Sequence, residues 1–96
     1  MQQQYTILTE PGPAGHSIRL MLNGKFSEDA LPELEQSISN ARHAHQQIYI
    51  DLSEVTLVDR KTVEYISDQA DQNVKLVNCP IYLRHWIRQA SGENDV

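Results

Sequence analysis

Apolar and polar positions alternate with a period of two in two early segments, which predicts two strands. The first covers Tyr5 to Thr9, and the second carries Ile18, Leu20 and Leu22 and is expected to end near Gly24. Residues 10–15 between them are rich in proline and glycine, which is typical of a turn. The two strands are therefore predicted to form a β-hairpin.

Three later segments repeat their apolar residues at helical spacing. We expect Ser27 to cap the first helix, which should run to about His45, Asp59 to cap the second, and Pro80 to begin the third. Each helix then presents one apolar face. In chain order the faces are Ala30, Leu34, Ile38 and Ala41, then Val63, Ile66 and Ala70, and finally Leu83, Trp86, Ile87 and Ala90.

Two short apolar runs predict the remaining strands. Ile48 to Leu52 indicates a buried central strand between two covering layers, and Val74 to Val77 indicates a short fourth strand. The order β-β-α-β-α-β-α predicts an α/β fold with a mostly parallel four-stranded sheet and right-handed crossovers. The length favours a single domain, residues 1–96, whose ends at 1–4 and 91–96 are expected to fray.

Composition excludes several classes of partner. Eight basic and thirteen acidic residues give a net charge of −5, which argues against nucleic-acid binding. The chain contains no apolar run near the roughly 20 residues that span a bilayer, so we expect no membrane insertion. Cys79 is the sole cysteine, and residues 1–5 do not resemble a signal peptide. We therefore expect a cytoplasmic protein.

Residues that could perform catalysis are few and poorly spaced. The sequence has no phosphate-binding glycine loop and no nucleophile elbow. His43 and His45 are two apart on a predicted helix, so they point in different directions and do not suit a shared metal. Cys79 and His85 are six apart, which does not supply the contact that a nucleophile needs with its base. We predict no enzymatic activity, no cofactor and no metal site.

Asp51 follows apolar strand residues, as the phospho-acceptor aspartate does in some α/β proteins. The further acids that would bind magnesium are missing, since Glu10 stands alone before a proline. We expect Asp51 to bond turn amides instead. Open α/β sheets often bind ligands at strand ends, so a small-ligand or catalytic cleft near Asp51, Asp59 and Cys79 is the alternative hypothesis.

The segment 51–66 carries the most informative motif. Asp51-Leu52-Ser53, Val55, Val58 and Asp59 resemble the STAS signature, and residues 74–80 are similar to the next strand and helix start of that family. STAS domains occur in sulfate transporters and anti-sigma factor antagonists. The resemblance spans residues 5–90. It implies a bacterial, non-catalytic regulatory module whose protein partner is a kinase-like anti-sigma factor or a transport ATPase.

The residue after the motif aspartate departs from this family. Many antagonists carry a serine or threonine there, which a cognate kinase phosphorylates, whereas this chain has Arg60. Thr62 is two residues further on and is expected to be misplaced for such a kinase. The resemblance therefore implies the fold and protein binding, but no phosphorylation switch at the usual position.

Arg60 and Lys61 are also unusual for their place in a helix. Cations in the first turn are disfavoured by about 0.3–1 kcal/mol each, and Glu64 could offset part of that cost. A locally unfavourable choice beside the contact region of the family indicates a recognition surface. The predicted partner-binding residues are Asp59, Arg60, Lys61, Thr62 and Glu64.

The last strand and the last helix suggest self-association. If the strands follow chain order, residues 74–77 lie at a sheet edge that carries Lys75 as its only charge. Tyr82 and Trp86 could extend an apolar patch on the last helix. We predict a homodimer built from this edge or from this helix.

Overall fold

A computed structural model of the chain describes residues 4–44, 46–70 and 72–90. The fold is α/β with four strands and three helices, as predicted. The ends were expected to fray at 1–4 and 91–96; residues 1–3 and 91–96, together with His45, lie outside the described residues, whereas the Gln4 carbonyl accepts a hydrogen bond from the Lys25 amide at 2.9 Å. In chain order the elements are β1 (Tyr5–Pro11), β2 (Ser17–Phe26), a 3-10 turn (Glu28–Ala30), α1 (Leu31–His43), β3 (Gln47–Val58), α2 (Arg60–Ala70), β4 (Val74–Val77) and α3 (Ile81–Ala90).

The four strands form one mixed sheet in the order β1-β2-β3-β4. The pairing of β1 with β2 is antiparallel, which confirms the hairpin, and the other two pairs are parallel. The sheet is thus mixed, where we expected a mostly parallel one, because the hairpin reverses β1. The two edges of the sheet are β1 and β4.

All the helices lie in one layer against a single face of the sheet. The crossovers through α1 and α2 both advance in the same direction across the sheet, so right-handed connections place both helices on the same side. The third helix packs beside α2, where the Ser67 hydroxyl donates to the Ile87 carbonyl at 3.5 Å. The molecule is accordingly thin, at 38 × 36 × 20 Å. Among the described residues, helices cover only one face of β3, which contradicts the expectation of two covering layers.

Strands β2 and β3 both continue beyond their predicted ends. Two irregularities interrupt their pairing; Val55 follows the first and Val58 follows the second, and both are buried. At Gly24 the backbone has φ +93°, and a Cβ there would lie 2.3 Å from the Gln4 carbonyl oxygen. Glycine therefore lets β2 bend instead of ending it.

The described side chains of the predicted helical faces are buried or half-buried. Helix α2 begins directly after its predicted cap, whereas α1 and α3 begin later than expected. The Ser27 side chain makes no capping hydrogen bond, and the 3-10 turn precedes α1. Pro80 lies one residue before α3, and its carbonyl accepts a hydrogen bond from the Arg84 amide at 2.9 Å. Trp86 is half-buried against the core, as predicted. No helix in the described ranges is both long and apolar enough to cross a bilayer. The fully buried helical side chains include Leu34, Val63, Ile66 and Leu83.

Candidate partner-binding site

The Asp59 carboxylate joins the start of α2 to the 3-10 turn before α1. One oxygen, Oδ1, accepts a hydrogen bond from the Thr62 amide at 2.9 Å, which confirms Asp59 as the cap of α2. The other oxygen, Oδ2, accepts from the Glu28 amide at 3.1 Å. The Asp59 amide in turn donates to the Phe26 carbonyl at 3.2 Å. A single side chain thus fixes both helix entries relative to each other.

The electrostatics of Asp59 follow from these contacts. Burial raises the pKa of this carboxyl, but contacts with the Thr62 side chain and amide and with the Glu28 amide lower it more. The net pKa of Asp59 is below its ordinary value, because the neighbouring donors favour the charged form. Asp59 is therefore ionised at neutral pH and holds the two helix entries as a carboxylate.

Thr62 lies in the core. Its side chain is 0% exposed, and the hydroxyl oxygen has no hydrogen bond of acceptable geometry with any described residue, although it approaches the Asp59 carboxylate. We predicted that Thr62 contributes to partner binding. In this structure its hydroxyl does not reach the surface, so Thr62 can influence a partner only by positioning its neighbours.

The exposed charges at the start of α2 form one surface. Lys61 Nζ lies 3.5 Å from Glu28 Oε2, and the two side chains are 67% and 59% exposed. Arg60 and Glu64 are exposed too, but they form no ion pair with each other. We call Glu28, Arg60, Lys61 and Glu64 the α2 entry surface. Exposed ion pairs contribute at most about 1 kcal/mol, so the Lys61–Glu28 pair can rearrange at little cost when a partner binds.

Glu28 was missed as a site residue by the sequence reasoning. By sequence, Glu28 is simply an acidic residue that follows Ser27 and suits the start of a helix. Its role depends on two contacts with residues more than thirty positions away, the Asp59 carboxylate and the Lys61 ammonium. No local pattern carries that information.

Asp51 lies within β3 and not at its end. Its Oδ1 accepts from the Ser53 amide at 2.9 Å, which agrees with the expected bond to a nearby amide. Its Oδ2 accepts from Asn78 Nδ2 at 3.1 Å and lies 2.9 Å from an Arg19 nitrogen. Burial raises the pKa of Asp51, but these hydrogen bonds and the Arg19 charge lower it more. The buried carboxylate thus ties β2, β3 and the segment after β4 together.

Cys79 is half-buried between β4 and α3. Burial raises the pKa of this thiol, and the nearby Arg84 charge offsets only part of the effect. The thiolate is the nucleophilic form of cysteine, so a raised pKa makes Cys79 a poor nucleophile at neutral pH.

Two cavities lie away from the cleft named in the alternative hypothesis. The larger, about 460 Å³, is polar and includes His16, Arg42 and Asn73 in its lining. The smaller, about 180 Å³, lies between the hairpin and α1. Neither is lined by Asp51, Asp59 or Cys79. Within the described ranges, no three His, Cys, Asp or Glu side chains are grouped as metal ligands.

Comparisons with known proteins do not identify a family for this chain. No protein-family model matches the chain, and no curated protein matches it. The likeness to STAS domains therefore stays a prediction from residues 51–66 and 74–80. Fold and site together define a two-layer α/β domain with a charged, solvent-exposed helix start that is held in place by the half-buried Asp59 cap.

Proposed function

We propose that this protein is a non-catalytic regulatory module, similar to anti-sigma factor antagonists, that binds a protein partner through the α2 entry surface. The observation that carries the proposal is the double hydrogen bond of Asp59, with Thr62 at 2.9 Å and Glu28 at 3.1 Å. This arrangement presents Arg60, Lys61 and Glu64 from a rigid helix start. Rigid presentation favours binding because little conformational entropy is lost on association.

The charges of this surface suit a partner with an acidic patch. Arg60 and Lys61 are two neighbouring cations on a protein of net charge −5. The net negative charge of the molecule would repel an acidic partner, so the encounter is favoured where exposed cations such as Arg60 and Lys61 offset the neighbouring acids Glu28 and Glu64. Electrostatic complementarity thus sets both the orientation and the choice of partner.

The proposed interaction is not switched by phosphorylation at the usual STAS position. Arg60 occupies that position, and the nearest hydroxyl beyond it, on Thr62, is buried. Regulation would then depend on how much partner and module are present. The STAS resemblance favours a kinase-like anti-sigma factor or a transport ATPase as the partner.

A non-catalytic role is also supported by the chemistry of the titratable residues. Asp51 and Asp59 are engaged by structural hydrogen bonds, and the raised pKa of Cys79 disfavours nucleophilic attack. The alternative of a ligand-binding cleft near these residues has less support, since the two cavities described above are lined by other residues.

The test is affinity capture from the native host with the tagged full chain. We expect one partner of the anti-sigma kinase or transport ATPase type to be recovered with the wild type and lost with the double variant Arg60→Glu/Lys61→Glu. The matched control is Arg84→Glu, a similar reversal of an exposed cation on α3, which should retain the partner. Equal recovery with the double variant, or no stable partner at any salt concentration, would contradict the proposal.

A further inference from the structure

One face of the sheet is left uncovered by every described element of the chain. The helices all pack on the opposite face, where the core residues lie. Strand register places two rows of side chains across this open face. The first row is Leu8, Met21, Asp51 and Val77, and the second row is Glu10, Arg19, Tyr49 and Lys75.

Side-chain contacts confirm that these residues share a face. Arg19 lies 3.5 Å from the Glu10 carboxylate and 2.9 Å from that of Asp51. Leu8 is 53% exposed and lies outside the hydrophobic core cluster. Met21, Tyr49 and Val77 are only partly buried and are likewise absent from that cluster. The open face therefore presents apolar and aromatic surface directly to solvent.

The two ends of each row are complementary to each other. Glu10 on β1 and Lys75 on β4 carry opposite charges at opposite edges, and Leu8 and Val77 are apolar at the same two edges. Three strand spacings, about 14 Å in all, separate β1 from β4, and Arg19 and Tyr49 lie between the charged pair. Glu10 and Lys75 therefore do not pair within one chain. Within its own chain Glu10 forms an ion pair with Arg19 at 3.5 Å, which is longer than a typical hydrogen bond.

We propose that the open face is the interface of a homodimer in which two sheets stack face to face. A two-fold axis parallel to the strands places β1 of one copy opposite β4 of the second. Each Glu10 then faces a Lys75, each Leu8 a Val77, and each Arg19 the ring of a Tyr49, where a cation–π contact is favourable. Sheets stack in this way at about 10 Å with nearly aligned strands.

A second copy fits this face because every complementary contact occurs twice. The alternative axis, perpendicular to the strands, places β1 opposite β1 and β4 opposite β4, which keeps Glu10 and Lys75 apart. Of the two axes, only the one parallel to the strands places Glu10 of one copy opposite Lys75 of the other. This interface is also distinct from the β4 edge and from the last helix, the two surfaces that the sequence predicted.

The proposal is tested by measuring the mass of the protein in solution by sedimentation over a wide range of concentrations. We expect the wild type to shift from 11.0 kDa to twice that mass as concentration rises. Leu8→Asp should raise the dissociation constant at least tenfold, because it places two carboxylates in the interface. The control Ile81→Asp alters an even more exposed apolar residue, on α3, and should leave the dissociation constant unchanged.

Exchanging the charges of Glu10 and Lys75 then tests whether these two residues face each other across the dimer interface. Lys75→Glu should weaken the dimer, and Glu10→Lys/Lys75→Glu should restore most of the affinity, with thermal unfolding checked for each variant. A monomer at every concentration would overturn the proposal. The proposal would also be overturned if the dimer persisted in Leu8→Asp, which is the result expected for pairing through the β4 edge. Loss of the dimer in Ile81→Asp would contradict it, as would a Glu10→Lys/Lys75→Glu variant that does not recover affinity.

Discussion

Asp59 is the residue on which the geometry of the α2 entry surface depends most directly. Asp59→Ala removes acceptors from two backbone amides, those of Thr62 and Glu28. We expect the free energy of unfolding to fall by about 1–2 kcal/mol, as for other lost caps. Asp59→Asn keeps one acceptor oxygen and should lose less. Urea denaturation measures both.

The control for this change is Asp68→Ala, which removes an exposed carboxylate from the same helix. Surface substitutions of this kind usually change stability by less than about 0.5 kcal/mol. Equal denaturation midpoints for Asp59→Ala and Asp68→Ala would mean that the Asp59 cap contributes nothing measurable.

Phosphorylation is expected to be absent from the protein isolated from its native host. The usual acceptor position holds Arg60, which has no hydroxyl, and the Thr62 side chain is 0% exposed. A kinase could reach Thr62 only after local unfolding of the start of α2. Intact-mass analysis should give the unmodified mass, and a stoichiometric phosphate on Thr62 or Ser53 would contradict the prediction.

Among residues 81–87 of α3, whose side chains the structure describes, Leu83 is the one fully buried anchor. Leu83 is 0% exposed, whereas Ile81 on the same helix is 80% exposed. Leu83→Ala should lower the free energy of unfolding by about 2–5 kcal/mol, because it leaves a cavity between α3 and α2. Ile81→Ala removes a similar side chain from the surface and should be nearly neutral. Similar losses for both would show that α3 is not anchored through Leu83.

Local patterns predicted the elements that depend on local signals. The helical spacing located α3, and the short apolar run gave β4 with its observed bounds, Val74–Val77. The sequence pattern did not predict features that depend on contacts between residues far apart in the chain. Ser27 was expected to cap a helix, but the Glu28 amide is instead bound by Asp59 from beyond β3. The length of β3 was missed because its pairing irregularities break the alternation.

The candidate site was predictable to a similar degree. The exposure of Arg60, Lys61 and Glu64 follows from their position on the polar side of an amphipathic helix, and their role in partner binding stays a prediction. The burial of Thr62 was not anticipated, although its neighbour Val63 was correctly placed in the core. The second hydrogen bond of Asp59 depends on how β2 and β3 bring two chain segments together, which no sequence window contains.

The topology of the whole molecule separates its two proposed interaction surfaces. Crossovers in one direction place the helices, and with them the α2 entry surface, on one side of the sheet, and leave the open face on the other. Dimerisation through the open face would therefore not block partner binding at Arg60 and Lys61. Such a dimer would present two entry surfaces, which raises the effective affinity for a partner that is itself dimeric.

The stability of the whole fold should depend on pH through Asp51 and Asp59. The pKa of each is lower in the folded protein than its ordinary value of about 3.9. As the pH falls, the two aspartates are therefore protonated in the unfolded chain before they are protonated in the folded protein. The stabilisation is fully present above the ordinary pKa and is lost as the pH falls below it and through the lower pKa values of the folded protein.

The variants Asp51→Asn and Asp59→Asn separate this effect from general acid unfolding. A protonated aspartate and an asparagine have nearly the same shape and no charge, so each variant resembles the wild type at low pH. Urea denaturation should show that the wild type has a higher free energy of unfolding than either variant at neutral pH. This difference should narrow below about pH 4. A gap that stays constant from neutral to acid pH would mean that neither carboxylate stabilises the fold through its charge.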